Sequence, residues 1–218
     1  MYRIFYIILI IGVFLIGLAG CVEDNEDFME DSMEKDEVEV IAFINEEKIY
    51  NHELDLLVEQ TKRMYEEQGL DTDDEHLLKQ IEEQIVEDLI NQVLILQAAE
   101  RDGMNDEHIE EEINEIKLQY EDEEEFLQEL EANDMTVEDL KQMVKIDLYV
   151  ESHLQNIEVT EEEVEEVFME YNNFTEEDIN VEEVKPFIES ELTQRKRGEE
   201  FNKLINQLKE ESDIQIFQ

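Results

Sequence analysis

Apolar residues return every three or four positions along most of this chain, and the intervals between them are filled largely by acids. The densest stripe is Leu78, Ile81, Ile85, Leu89, Val93 and Leu96, widened by Val86, Ile90 and Leu94 and stopped at Gly103. That period predicts a long helix. A helix apolar over so much of its circumference has to be covered by several neighbours, so it is the expected centre of the domain. Leu54, Leu57, Val58 and Met64 predict an earlier helix that Gly69 ends.

Further helices are predicted from Asp106 to Tyr120 on Ile109, Ile113 and Ile116, from Glu123 to Ala132 on Phe126, Leu127 and Leu130, and from Val137 to Gln155 on Leu140, Val144 and Leu148. A short helix should end near Tyr171, with a polar loop from Asn172 to Asn180. Val184, Phe187, Ile188, Leu192, Phe201, Leu204, Ile205 and Leu208 then predict a last long helix, with Pro186 accommodated in its first turn. Thr136 to Asp139 and Thr160 to Glu163 match the capping box, in which a hydroxyl and an acid each satisfy an orphan amide of the first turn.

The period switches to two at either end of this helical body. Val38 to Ile44 is a short β-branched run, Asn45-Glu46-Glu47 a turn, and Lys48-Ile49-Tyr50 its return. Asp213 to Gln218 alternates apolar and polar residues and is expected to pair with Val38 to Ile44. The fold class is therefore mostly α, a multi-helix domain with a small β-ribbon formed by its N- and C-terminal strands.

The first residues follow another logic. Arg3 precedes an apolar stretch from Ile4 to Ile16, and Leu18-Ala19-Gly20 leads into Cys21, the chain's one cysteine. A charged start, a short apolar core and small residues before a cut describe an export signal. With cysteine at that place it resembles the lipobox of bacterial lipoproteins, in which the thiol is acylated and becomes the new N-terminus. Cys21 is thus the expected lipidation site, and the protein is expected outside the cytoplasm, anchored to the cell membrane. The competing reading is an uncleaved anchor, since Ile4 to Ala19 approaches the roughly 20 apolar residues that cross a bilayer. We divide the chain into residues 1–20 as signal peptide, 21–37 as an acidic tether and 38–218 as one helical domain.

Charge narrows the partners. The 218 residues hold 64 acidic and 16 basic side chains; without residues 1–20, which contain one arginine and no acid, the formal charge is −49. Phosphate contact requires a basic surface, so nucleic-acid binding is excluded. Acid in such excess fits adaptation to high salt, where counterions screen self-repulsion.

Little catalytic chemistry is written here. His52, His76, His108 and His153 are scattered among acids with no metal-ligand spacing. His108 with Glu111 and Glu112 reads as a solvated helix face rather than a metal site. Asp71, Asp73 and Glu75, with Glu82, imitate a calcium loop, but His76 stands where the sharp turn needs glycine. A capped helix start at Thr72 is the expected structure there. No metal, cofactor or catalytic residue is assigned.

Ala42-Phe43-Ile44-Asn45-Glu46-Glu47-Lys48-Ile49, the helix from Leu89 to Ala99 with its stop at Arg101-Asp102-Gly103-Met104, and Met135 to Leu140 together resemble the SurA N-terminal domain family of extracytoplasmic chaperones, related to PrsA and trigger factor. The resemblance covers residues 38 to 218 in element order. Glu46 departs from it, standing where the family usually has glycine. So does the stretch from Asn172 to Val184, where the family commonly inserts a parvulin prolyl isomerase domain and where this chain has too few residues for one.

The resemblance implies a chaperone that holds unfolded or newly exported polypeptides without isomerase activity. The rival readings are a structural or assembly adaptor lipoprotein with one specific protein partner, and a solute- or metal-binding receptor, a class usually larger and built around sheets. Met64, Met104, Met135, Met143 and Met169, and Tyr65, Tyr120, Tyr149 and Tyr171, are candidates to line an apolar groove, or equally to pack the core. No one of them is assigned as a peptide-binding residue, and the oligomeric state is left open.

Overall fold

A computed structural model describes residues 38–217 apart from 71, 73, 134 and 175–179, and the side chains of 171–174 are also left out. Cys21, the tether and the first two acids of the calcium-like loop lie outside the described residues.

The β-branched run forms strand β1 (Val40–Ile44), which returns as β2 (Glu47–Tyr50), pairing Ile44 with Glu47 and Ala42 with Ile49. Asn45 carries the turn's positive φ, 57°, a conformation asparagine tolerates. Among non-glycine described residues it is alone in this, so Glu46 needs no left-handed backbone and glycine is not required there.

Helices α1 (Asn51–Glu67), α2 (Glu75–Arg101), α3 (Asp106–Lys117), α4 (Glu123–Ala132), α5 (Val137–Leu154), α6 (Glu161–Phe174) and α7 (Val181–Glu210) follow, and the chain closes with β3 (Ile214–Ile216). As expected, β3 lies antiparallel against β1, with Ala42 opposite Ile216. The sheet order is β2-β1-β3. Asn45 fastens this closure: its N–H donates to the Asp213 carbonyl at 2.7 Å, and its Oδ1 accepts from the Asp213 N–H at 2.9 Å.

Short polar residues start the helices. Asp74, Asn105, Asp122 and Asn180 each accept a first-turn amide, which satisfies orphan donors and places oxygen at the positive end of the helix dipole. Both capping boxes form. Thr136 N–H donates to Asp139 Oδ2 at 2.8 Å, and Thr160 N–H donates to Glu163 Oε2 at 2.8 Å.

Three details differ from the sequence reading. Asp74, not Thr72, caps α2; Thr72 is buried and its hydroxyl donates to Glu66 Oε1 at 2.7 Å, tying the connection to the end of α1. Helix α6 runs on to Phe174, past the expected end at Tyr171. Pro186 stands in the second turn of α7, because Asn180 starts that helix earlier than the apolar pattern alone suggests. Its missing N–H leaves the Glu182 carbonyl without its helical donor, a defect tolerable near a solvated helix end.

Three apolar clusters hold these elements. The largest gathers Ala42, Ile44 and Ile49 of the sheet, Leu57 of α1, Tyr149 of α5, Leu204, Ile205 and Leu208 of α7, and the face of α2 from Ile81 to Ala99. Leu89 is 1% exposed, so α2 is central as its pattern required. A second cluster joins α3, α4 and α5 through Ile113, Phe126 and Val144. The third, Val164, Ile188 and Leu192, zips α6 to α7.

Candidate functional site

The antiparallel pair α1 and α2 leaves a trough between them, a cavity of about 370 Å³. Its α1 wall is Leu57, Thr61, Met64 and Tyr65, successive turns of one helix face. Along α2 two rows run side by side. Leu77, Ile81, Ile85 and Leu89 form an apolar ridge, and Gln80, Gln84, Asp88 and Gln92 form a polar one. Both repeat every four residues, so each row winds gradually around the helix, about 40° per step.

The ridge ends differ in burial. Leu89 and Gln92 are buried in the domain, whereas Leu77 is half-buried and Gln80 and Gln84 are exposed. The trough therefore opens toward the α1–α2 connection and closes against the core. Gln84 Nε2 donates to Asp88 Oδ1 at 3.0 Å. Burial pushes the Asp88 carboxyl above its ordinary value despite that bond, because loss of water disfavours the charged form.

Other polar networks serve the fold. Tyr149 donates its hydroxyl to Asp102 Oδ2 at 2.8 Å, Arg101 Nε donates to Asp102 Oδ1 at 3.3 Å, and Arg101 Nη1 reaches Glu211 Oε2 at 3.2 Å. This links the ends of α2 and α7 to α5. Burial, reinforced by Asp102, pushes the Tyr149 phenol up to about 12. Lys196 and the Thr160 cap hold Glu163 down to about 2.

Of the methionines and tyrosines named from sequence, the structure brings only Met64 and Tyr65 to the trough. Met104 and Met135 pack against core clusters, Met143 is half-buried on α5, and Met169 is 63% exposed on α6. Tyr120 stacks edge-on against Phe126 and Tyr149 is buried. The side chain of Tyr171 lies outside the described residues. His108 sits 3.6 Å from Glu111 on an exposed face, and no metal-ligand cluster occurs among the described residues.

Sequence reasoning missed the polar row at 80, 84, 88 and 92. Its signal was present, a polar repeat every four residues directly beside an apolar one, but glutamines on an amphipathic helix read as ordinary solvated positions. No described helix is long and apolar enough to cross a membrane.

The fold is thus a mostly helical body with a three-stranded ribbon and a trough between α1 and α2. The family model of the SurA-like N-terminal domain matches residues 2–154, and the chain belongs to that family. Similar curated proteins include the foldase protein PrsA of Clostridium botulinum strain Langeland, 27% identical over 164 residues, covering 69% of this chain and 47% of that protein. The PrsA of strain Loch Maree is 28% identical over 158 residues, covering 66% and 46%. The chain thus spans about half the length of the curated relatives it matches. The family match ends at Leu154, yet α7 and β3 beyond it supply Leu204, Ile205 and Leu208 to the main core and the third strand to the sheet.

Proposed function

We propose that this protein is an extracytoplasmic chaperone that holds unfolded or newly exported polypeptides by apolar contact in the α1–α2 trough. The observation that carries the reading is the trough itself, with Met64, Tyr65 and Leu77 half-buried at its open part. Methionine adapts to varied shapes, and tyrosine offers an apolar face with a polar tip. Family membership and the foldase name of the relatives support the same reading.

Holding works by mass action. A client bound here is withdrawn from the free pool below the concentration at which it self-associates. Acids around the trough keep the complex soluble and favour clients with basic segments.

Cys21 carries the lipid in this proposal, residues 21–37 span the distance from membrane to domain, and residues 38–218 do the holding. The chain catalyses no prolyl isomerisation, since residues 175–180 between α6 and α7 leave no room for a parvulin insertion.

Aggregation suppression tests the reading. Several unrelated unfolded clients should be protected at similar ratios by the wild type and poorly by Met64→Glu and Leu77→Glu. Protection of a single client only would favour the adaptor. Palmitate labelling that disappears in Cys21→Ala, and a prolyl isomerase peptide assay at background, test the anchor and the missing activity.

A further inference from the structure

Helix α7 turns two different faces to its neighbours. Its first half packs on α6 through Ile188 and Leu192, while Leu204, Ile205 and Leu208 of its second half enter the main cluster. At about 100° per residue Ile188 and Leu204 lie about 160° apart around the helix, so α6 and the body sit on opposite sides of α7. Helix α6 packs chiefly on α7, and the cluster between them shares no residue with the main one. The two form an arm, joined to the body through α7 itself and through the non-helical connection between α5 and α6.

Gly198 stands where the faces change. It is exposed, and nothing lies within 4 Å of the place a Cβ would take, so no close packing demands glycine there. Its cost to a helix interior is offset by no contact. Before it, the Thr193 hydroxyl donates to the Glu189 carbonyl at 2.7 Å, a bond that competes with the helix ladder and favours bending.

The two cations that precede the glycine reach opposite ways. Lys196 Nζ donates to Glu163 Oε2 at 2.7 Å and Lys185 Nζ to Glu161 Oε1 at 2.9 Å, binding α6 to α7 within the arm. Arg197 turns to the body: its Nη1 donates to Glu151 Oε2 of α5 at 3.5 Å, and its Nη2 donates to Oε1 of the same carboxylate.

We propose that α6 and the first half of α7 swing as one unit about Gly198, and that the Arg197–Glu151 pair is the latch that fastens this arm against α5. The latch is shallow, with side chains 38% and 44% exposed, and a pair of that kind shifts a population by about fivefold at most. Phe187, 69% exposed, and Met169, 63% exposed, ride on the arm, so its motion redirects apolar surface that the chain presents to partners. The inference stands apart from the holding function proposed for the trough.

Distances between pairs of spin labels, carried on p-acetylphenylalanine and read by double electron–electron resonance, test this in the purified full chain. Salt is kept at about 0.5 M, where long-range repulsion is screened while touching charges still pair. One pair of labels replaces Glu82 of α2 and Glu183 of α7, both exposed; the other replaces Met169 and Glu183, both on the arm. Residue 183 lies about 22 Å along α7 from Gly198, so a swing of about 20° displaces it by about 8 Å.

The pair at 82 and 183 should show a second distance displaced by about that amount, and the pair at 169 and 183 a single one. Arg197→Glu should raise the share of the second distance about threefold or more, and adding Glu151→Arg, which restores an opposite pair, should return it to the wild-type share. Gly198→Ala, which the open space accommodates, should lower the share about two- to fivefold. One unchanging distance between 82 and 183 in both the wild type and Arg197→Glu would overturn the motion, and so would splitting of the distance within the arm, which means that α6 peels from α7. A share indifferent to Gly198→Ala would overturn the joint, and one that Glu151→Arg fails to restore would overturn the latch.

Discussion

Replacing Tyr149 by phenylalanine separates a core role from a client-binding role at a residue whose sequence position allowed either. The ring is 4% exposed and packs in the main cluster, so phenylalanine keeps its volume and deletes one hydrogen bond, the 2.8 Å donation to Asp102. A bond to a charged acceptor contributes about 1.5–3 kcal/mol. The Asp102 side chain is 48% exposed and keeps Arg101, so water replaces the lost donor and the cost falls to about 1–1.5 kcal/mol at pH 8.

The pH dependence is more specific. The phenol keeps its proton in the folded chain up to about 12, whereas the unfolded chain releases it near 10.0. Between those values the folded state binds more protons, so stability falls as pH rises; below 10 the contribution is fully present. The difference amounts to roughly 2–3 kcal/mol across the window. Guanidinium unfolding followed by circular dichroism at pH 8, 10, 11 and 12 should show the wild type losing its advantage over Tyr149→Phe and then falling below it. Lysines and other tyrosines titrate in both proteins and cancel in the comparison. Parallel pH profiles for the two would refute the buried, Asp102-bonded phenol.

Leu89→Ala, at a position 1% exposed on the central helix, should cost about 2–5 kcal/mol and lower the denaturation midpoint accordingly. Thr136→Ala removes the hydroxyl that accepts the Asp139 N–H at 3.2 Å and should cost about 1 kcal/mol in the same assay. Carboxyl chemical shifts should place the Glu163 midpoint at about 2, its stabilising contacts being lost as pH falls through that value, and Lys196→Ala should move the midpoint upward. Raising sodium chloride from about 0.05 to about 1 M, which shortens the screening length from over 10 Å to about 3 Å, should raise the thermal midpoint; a midpoint indifferent to salt would deny that self-repulsion of the −48 charge matters to this fold.

Most of the architecture was written locally. The stripe from Ile81 to Leu94 made α2 a helix and also made it central, because no single neighbour covers so broad an apolar face. Thr136 and Thr160 announced helix starts through hydroxyl and carboxylate positions that interact within one turn. Pairing of the two chain ends was legible too, since the alternating run Asp213–Gln218 needs a strand beside it and Val38–Ile44 is such a strand. Where local signals competed, reading them was harder: Thr72 and Asp74 are both good caps, and burial of Thr72 against Glu66 decided for Asp74.

The trough was not legible in this way. Periodicity states which face of a helix is apolar but not how closely the facing helix approaches, and the open volume between α1 and α2 is a property of that distance. The same limit hid the roles of the tyrosines: Tyr65 and Tyr149 have similar chemistry, yet one faces the trough and the other is sealed under Asp102. Residue types and their periods, which act over one or two turns, thus determined the elements, their ends and the expected core. The hollow, its polar row and the burial of each aromatic depend on contacts between residues far apart in the chain, and those only the tertiary structure decided.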